Sequence, residues 1–120
     1  MESLKKQVGG THYKDMKMQP IMLIVGAKCD YIQGNIIKYI SRYKQKDGKK
    51  DLLKIIQYAQ IALELCPDDK HYSNVGLGFS YCRINEMSTL ETMIVICALQ
   101  HDYKMVEMHC NQLIAKEYTN

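Results

Sequence analysis

At 120 residues the chain suits one domain with a real hydrophobic core and is too short for several. Its apolar run at residues 93–99 is far too short to span a bilayer, and residues 1–10 contain no apolar signal segment. We therefore expect a cytoplasmic protein with no membrane partner. The net charge of +3 is uneven, because residues 1–66 hold twelve Lys and Arg against six Asp and Glu, and residues 67–120 hold four against seven. This balance favours a compact anionic ligand over an extended nucleic acid.

Five cysteines are scattered along the chain, at least thirteen residues apart, and form no C-x-x-C pair. Zinc sites and redox motifs usually place cysteines in close pairs, so no metal site and no cofactor are expected. Cys97 lies inside the apolar run, where a free cysteine behaves as a small hydrophobic residue. We expect reduced thiols, as in a cytosolic protein.

Three helices are predicted in residues 1–66, after a polar lead-in that ends in two glycines. Pro20 suits the first turn of a short helix over about 21–27. A second helix is predicted over about 31–46, because apolar residues recur there at spacings of three and four. A third is predicted over about 50–66. Asp47-Gly48 has the turn chemistry that separates the second helix from the third.

Residues 67–120 begin with a segment of loop composition and then return to helical patterns. Residues 79–84 are predicted to be a short strand or irregular. Ser88 and Glu91 form a capping-box sequence, which predicts a helix from there to about residue 100. A last helix is predicted over about 103–118. Together the patterns predict a mainly α fold, a small bundle of about five helices with an irregular or short-strand segment near 74–85. Residues 1–66 and 67–120 are expected to pack as one globular unit.

A polar and cationic face is predicted on the second helix. Asn35, Lys38 and Arg42 are spaced three and four residues apart, so they share one side of the helix, and Gly34 lies beside them. Glycine inside a helix costs about 1 kcal/mol relative to alanine, which close approach of a backbone or a ligand would offset. Arginine offers phosphate a planar fork and lysine a point charge. The alternative is an ordinary solvated face.

His12 and Tyr13 follow the Gly9-Gly10 turn, whose backbone N–H groups can face an anion. His12 has the ionisation range to bond a phosphate or to act as an acid or base. The alternative is that it caps a helix or braces a loop.

The third helix offers a second polar face, with Asp51, Lys54 and Tyr58 at helical spacing. If the second and third helices pack antiparallel, Lys54 and Tyr58 complete a pocket with Lys38 and Arg42. Asp51 fits the helix N-terminus, where the dipole favours a carboxylate, and this is the preferred interpretation of that residue.

Four strings, VGGTHYK, QPI, GNIIKYISRY and DLLKIIQY, follow in that order. They resemble a phage domain family labelled nucleotide kinase-like, after a phage deoxynucleotide kinase that lacks a P-loop. The resemblance covers about residues 7–66 and leaves 67–120 unmatched. It implies a phage protein that handles nucleotides in the cytoplasm of a bacterial host. The positions that match the family pattern are His12, Tyr13, Asn35, Lys38, Arg42, Asp51, Lys54 and Tyr58.

Three functions are compatible with these features. The first is a non-catalytic, anti-defence binder that sequesters a nucleotide, such as a cyclic nucleotide immune signal, in a basic, tyrosine-lined pocket. The second is a nucleotide kinase-like phosphotransferase acting on deoxynucleoside monophosphates, although the sequence has no Walker-type phosphate loop. The third is a helical adaptor for a host protein, suggested by residues 67–120. We place the binder first, because cations and aromatic rings suffice for it.

Self-association is also expected, with ligand sites near subunit boundaries. The halves carry opposite charge, and four methionines in the C-terminal half offer adaptable apolar contacts: Met87, Met93, Met105 and Met108. The alternative is that these methionines fill the local core. We predict a homo-oligomer.

Overall fold

The described part of the chain is helical. The computed structural model describes residues 2–6, 8, 13, 15–65 and 74–118, and in these ranges it has six α-helices and no strand. Short 3-10 turns lie at Glu2–Lys5 and Tyr43–Gln45. The prediction of a mainly α fold is confirmed, with six helices instead of about five. They are α1 (Pro20–Gly26), α2 (Tyr31–Arg42), α3 (Lys49–Leu65), α4 (Val75–Ile84), α5 (Thr89–Leu99) and α6 (Tyr103–Glu117).

The predicted irregular or short-strand segment near 74–85 is wrong, because α4 occupies it. The helix begins where the side chain of Asn74 accepts a hydrogen bond from the Leu77 amide, at 3.0 Å. Glycines gave this segment its loop composition, but Gly78 has a packing role. A Cβ atom there would lie 2.4 Å from a methyl group of Leu99, so the missing side chain lets α4 approach α5 closely.

Two helices start with reciprocal capping. Ser88 and Glu91 form the predicted capping box of α5, in which each side chain bonds the other residue's amide. Asp30 and Gln33 form the same arrangement at the start of α2. These caps satisfy amides that have no partner within the helix, and so they determine where each helix begins.

Helices α1, α4 and α5 end in the same tight reversal. A residue in the left-handed region follows each helix: Lys28, Glu86 and His101, with φ of 55°, 56° and 56°. Its amide bonds a carbonyl three residues back, and the next amide bonds one five residues back, which is a Schellman motif. Glycine usually occupies this position, since the left-handed conformation costs other residues about 1–2 kcal/mol. Three short connections between helices result.

Helix α5 lies at the centre of the core. Its six consecutive residues 94–99 are all buried, because α2, α4 and α6 surround it. Cys97 is buried there, as expected. Helices before and after residue 66 contribute to one hydrophobic cluster. Met87, Met93 and Met105 pack against this core, while Met108 is exposed. None of the described helices combines the length and apolar character needed to cross a bilayer.

The buried carboxylate of Glu91 lies where the 3-10 turn that follows α2 meets α5 and α6. The Tyr43 hydroxyl donates to Glu91 on α5 at 2.5 Å and contacts Glu117 on α6 at 3.1 Å. Lys44 places its ammonium 3.1 Å from the same Glu91 carboxylate. Burial alone would raise the pKa of Glu91. The hydrogen bonds from Tyr43, Ser88 and Lys44 have the larger combined effect in the opposite direction, so the pKa lies below its ordinary value. Burial and these carboxylates raise the pKa of Tyr43.

Glu91→Gln should reduce stability in a pH-dependent way. The glutamine keeps the capping box but removes the charge, so at pH 7 we expect a loss of about 1.5–3 kcal/mol, typical of hydrogen bonds to a charged group. A carboxyl group whose pKa is lowered by folding stabilises the folded state fully only at pH values above its ordinary pKa, here 4.5. This stabilisation is lost as the pH falls from there through the pKa of the folded state. Urea unfolding from pH 7 to pH 3 should therefore show the difference between variant and parent shrinking below about pH 4.5.

Glu64→Gln is the matched control, since Glu64 is exposed on α3. It should change stability little at any pH. A Glu91→Gln difference that stays constant down to pH 3 would contradict the role assigned to the charge.

Candidate functional site

Helices α2 and α3 pack antiparallel and bring three tyrosines into a row. The rings of Tyr39 and Tyr58 are stacked, with centroids 6.1 Å apart and planes at 25°. Tyr31, which lies about two helical turns before Tyr39 on α2, meets the Tyr58 ring edge-on, with centroids 6.2 Å apart. A hydrogen bond with Tyr31, with burial adding, raises the pKa of the Tyr58 hydroxyl. The antiparallel arrangement that the sequence required for a pocket is therefore present.

Three cationic groups surround the Tyr39 ring. Lys38 Nζ lies 4.7 Å, Arg42 Cζ 4.8 Å and Lys54 Nζ 5.1 Å from the ring centroid. These distances are within the range of cation–π attraction, which contributes about 0.5–2 kcal/mol per pair depending on desolvation. Two of the cations come from α2 and one from α3. We call Lys38, Tyr39, Arg42, Lys54 and Tyr58 the Tyr39 cluster.

A buried ion pair lies under the cluster. Arg42 Nε and Nη2 donate to the two carboxylate oxygens of Asp51, each at 3.2 Å. The Asp51 side chain is fully buried and that of Arg42 is 12% exposed. Lys54 approaches the same carboxylate at 3.7 Å. Asp51 does lie in the first turn of α3, as predicted, but its principal contact is this bidentate pair.

Tyr13 lies against the same pair from the segment before α1. Burial raises the pKa of its hydroxyl, and the neighbouring Arg42 guanidinium offsets part of that effect. The chain just before α1 is held in place by Asn85, whose side-chain amide bonds both the backbone N–H and the carbonyl of Met18, at 3.3 and 2.8 Å. The aromatic ring of Tyr13 thus extends the tyrosine-rich surface beyond α2 and α3.

A groove of about 460 Å³ opens beside the cluster, between α1 and α2. Its lining includes three predicted site residues, Tyr13, Asn35 and Lys38. Asn35 donates its side-chain N–H to the Tyr31 carbonyl at 2.8 Å. Gly34 also lines the groove, on the side of α2 that faces α1. Lys38 belongs both to the groove and to the Tyr39 cluster, so the two form one continuous surface.

The structure brings together the predicted site residues that it describes. Lys38, Arg42, Lys54 and Tyr58 form one cluster, and Tyr13 and Asn35 adjoin it. His12 lies outside the described residues. Tyr39 and Tyr31 also belong to the site, although the sequence did not predict them as site residues. Tyr39 precedes Arg42 by three positions, a spacing that places the two side chains next to each other on one helix.

Among the residues that the structure describes, no group of three or more His, Cys, Asp or Glu is placed to hold a metal ion. The site contains cationic nitrogens, phenol rings and a largely apolar groove. Such groups can hold a phosphate and an aromatic ring side by side.

Comparison with known proteins adds one match. Residues 8–60 match the model of a family described as a protein of unknown function, DUF3310. The matched segment ends within α3 and contains every described residue of the Tyr39 cluster. No curated protein and no solved structure matches the chain.

Arg42→Ala should destabilise the fold through the ion pair. The change leaves the Asp51 carboxylate buried without its two charge-assisted hydrogen bonds, while Lys54 still offers partial compensation. We expect a loss of about 1.5–3 kcal/mol in the free energy of unfolding, measured by urea denaturation. Arg83→Ala, which removes an exposed arginine of α4, is the control and should change stability by less than about 0.5 kcal/mol. Equal stability of the two variants would contradict the structural role of Arg42.

Proposed function

We propose that this chain is a nucleotide-binding protein that sequesters its ligand without converting it. One observation carries the proposal: Lys38, Arg42 and Lys54 all lie about the single ring of Tyr39. Phosphate groups seek cationic nitrogens, and nucleobases seek aromatic and apolar surfaces. A nucleotide is a common cellular ligand that needs both within a short distance.

Lys38 is the cation best placed to meet a phosphate. Arg42 and Lys54 share the buried Asp51 carboxylate, and Asp47 lies 4.0 Å from each. No carboxylate of the described residues lies within that distance of Lys38. The charge that Lys38 presents is therefore the least neutralised of the three. Three cations against two carboxylates leave one positive charge, which favours a compact anion over an extended nucleic acid.

Sequestration is preferred to phosphoryl transfer because the observed groups are those that a binder needs. A kinase must also hold a second nucleotide in line and stabilise charge on the transferring group. In a phage context, binding without turnover suits the removal of a nucleotide signal of host immunity. A helical adaptor for a host protein is the remaining alternative. Native mass spectrometry of protein purified from infected cells separates nucleotide binding from the adaptor function, since it distinguishes a stoichiometric nucleotide from a protein partner.

Lys38→Ala should weaken nucleotide binding. The variant loses a charge-assisted contact worth about 1.5–3 kcal/mol, which is a tenfold or greater rise in Kd by calorimetry. Lys104→Ala, an exposed lysine of α6, is the matched control and should bind as the parent does. Identical affinity in the two variants would mean that the face is only solvated. Turnover of a deoxynucleoside monophosphate with a triphosphate donor, lost in Lys38→Ala, would instead establish the kinase alternative.

Self-association is part of the proposal. Helix α1 exposes Ile21, Met22 and Val25 and also forms one wall of the groove, so an interface through α1 would place ligand sites beside subunit boundaries. Light scattering at micromolar concentration should report a mass well above 13.9 kDa. Val25, which is 67% exposed, is the position to test. Val25→Glu should lower the mass toward that of one chain, and a parent protein that is already monomeric would contradict this prediction.

A further inference from the structure

The geometry points to the groove between α1 and α2 as the binding site for the base of a single nucleotide, with its phosphate beside Lys38. This inference rests on the proposed function and deepens it, because it assigns the two parts of the ligand to two parts of the surface. The Tyr39 cluster would hold the anion, and the groove would hold the ring.

The lining of the groove is suited to a flat, largely apolar ring. Pro20, Ile21 and Ile24 supply apolar surface from α1, and Tyr31 stands at the edge with 75% of its surface exposed. An exposed aromatic ring beside an apolar groove can stack on a base. The cationic contribution comes at the other end, from Lys38.

Two residues of opposite charge, Asp30 and Lys38, line the groove. Asp30 lies at the start of α2 and Lys38 eight residues later, which corresponds to about 12 Å along a helix. A nucleotide can use both groups, because its phosphate seeks a cation and the N–H groups of a base can donate to the Asp30 carboxylate, which also accepts from the Gln33 amide. The volume of about 460 Å³ is near the lower end of the range of about 300–1,000 Å³ for small-ligand sites, which suits one nucleotide.

Gly34 gives independent support, because helix packing does not require it. A Cβ atom at Gly34 would first meet Ile24 at 3.4 Å, an ordinary van der Waals distance, and its φ is not in the left-handed region. Gly26 and Gly78 differ, since Cβ atoms there would come within 2.7 and 2.4 Å of leucine methyl groups. An alanine at Gly34 would fit the packing of α1 against α2, whereas a larger side chain would extend beside Ile24 into the groove that both residues line.

Two kinds of ligand test the inference on the full chain. Ribose 5-phosphate carries the anion without a base, and the four common nucleoside 5′-monophosphates carry both. By calorimetry we expect at least one nucleotide to bind at least tenfold more tightly than ribose 5-phosphate. Gly34→Leu, which fills the groove, should remove that difference and leave the Kd of ribose 5-phosphate within twofold of the parent value. Gly34→Ala should reduce the difference in part.

Gly76→Ala is the matched control. Gly76 is an exposed helical glycine whose Cβ would also meet its first neighbour at 3.4 Å, but it lies on α4. It should leave both affinities unchanged. Gly34→Ala adds one methyl group at ordinary contact distance, so its melting temperature should not fall, and it keeps the comparison possible if Gly34→Leu fails to fold.

The calorimetric results distinguish a failure of this inference from a failure of the proposed function. If ribose 5-phosphate and all nucleotides bind the parent equally, the groove takes no base and the inference is overturned, while anion binding stands. A nucleotide preference that survives in both Gly34 variants overturns it as well, because the base then binds elsewhere. If no ligand binds, the proposed function itself fails.

Discussion

The buried carboxylate of Asp51 is the constraint on which the candidate site depends. A charge removed from water must be compensated, and here Arg42 bonds both oxygens while Lys54 approaches one of them. That requirement joins the end of α2 to the start of α3 and orients two cationic side chains on the same surface. The ring of Tyr39 then lies between cations of both helices. Stability and the charge pattern of the site thus share one origin.

The cations of the Tyr39 cluster differ in their surroundings. Arg42 is held by the protein and is nearly covered, so it shapes the site more than it offers itself to solvent. Lys38, which has no carboxylate partner among the described residues, lines the groove. A second buried carboxylate, that of Glu91, is compensated in the same way by Tyr43 and Lys44 in the turn that follows α2. At both places a buried acid determines where a lysine or arginine lies.

The order of the helices, in contrast, was largely readable from the sequence. Apolar residues at helical spacing, Pro20, the Asp47-Gly48 turn and the capping box beginning at Ser88 predicted five of the six helices to within a few residues. Local interactions decide these features, because a cap or a turn involves residues at most a few positions apart. The same spacing placed Lys38 and Arg42 on one face.

Tertiary packing decided the rest. α4 forms where glycines indicated a loop, because Gly78 allows close contact with α5 and that contact outweighs the local preference. Helix spacing showed that Arg42 faces outward from α2, but which group of α3 it meets depends on how the two helices are set against each other. Nothing in the residue types marked Lys28 or His101 for the left-handed region. Their conformations are imposed by the short connections that the packed helices require.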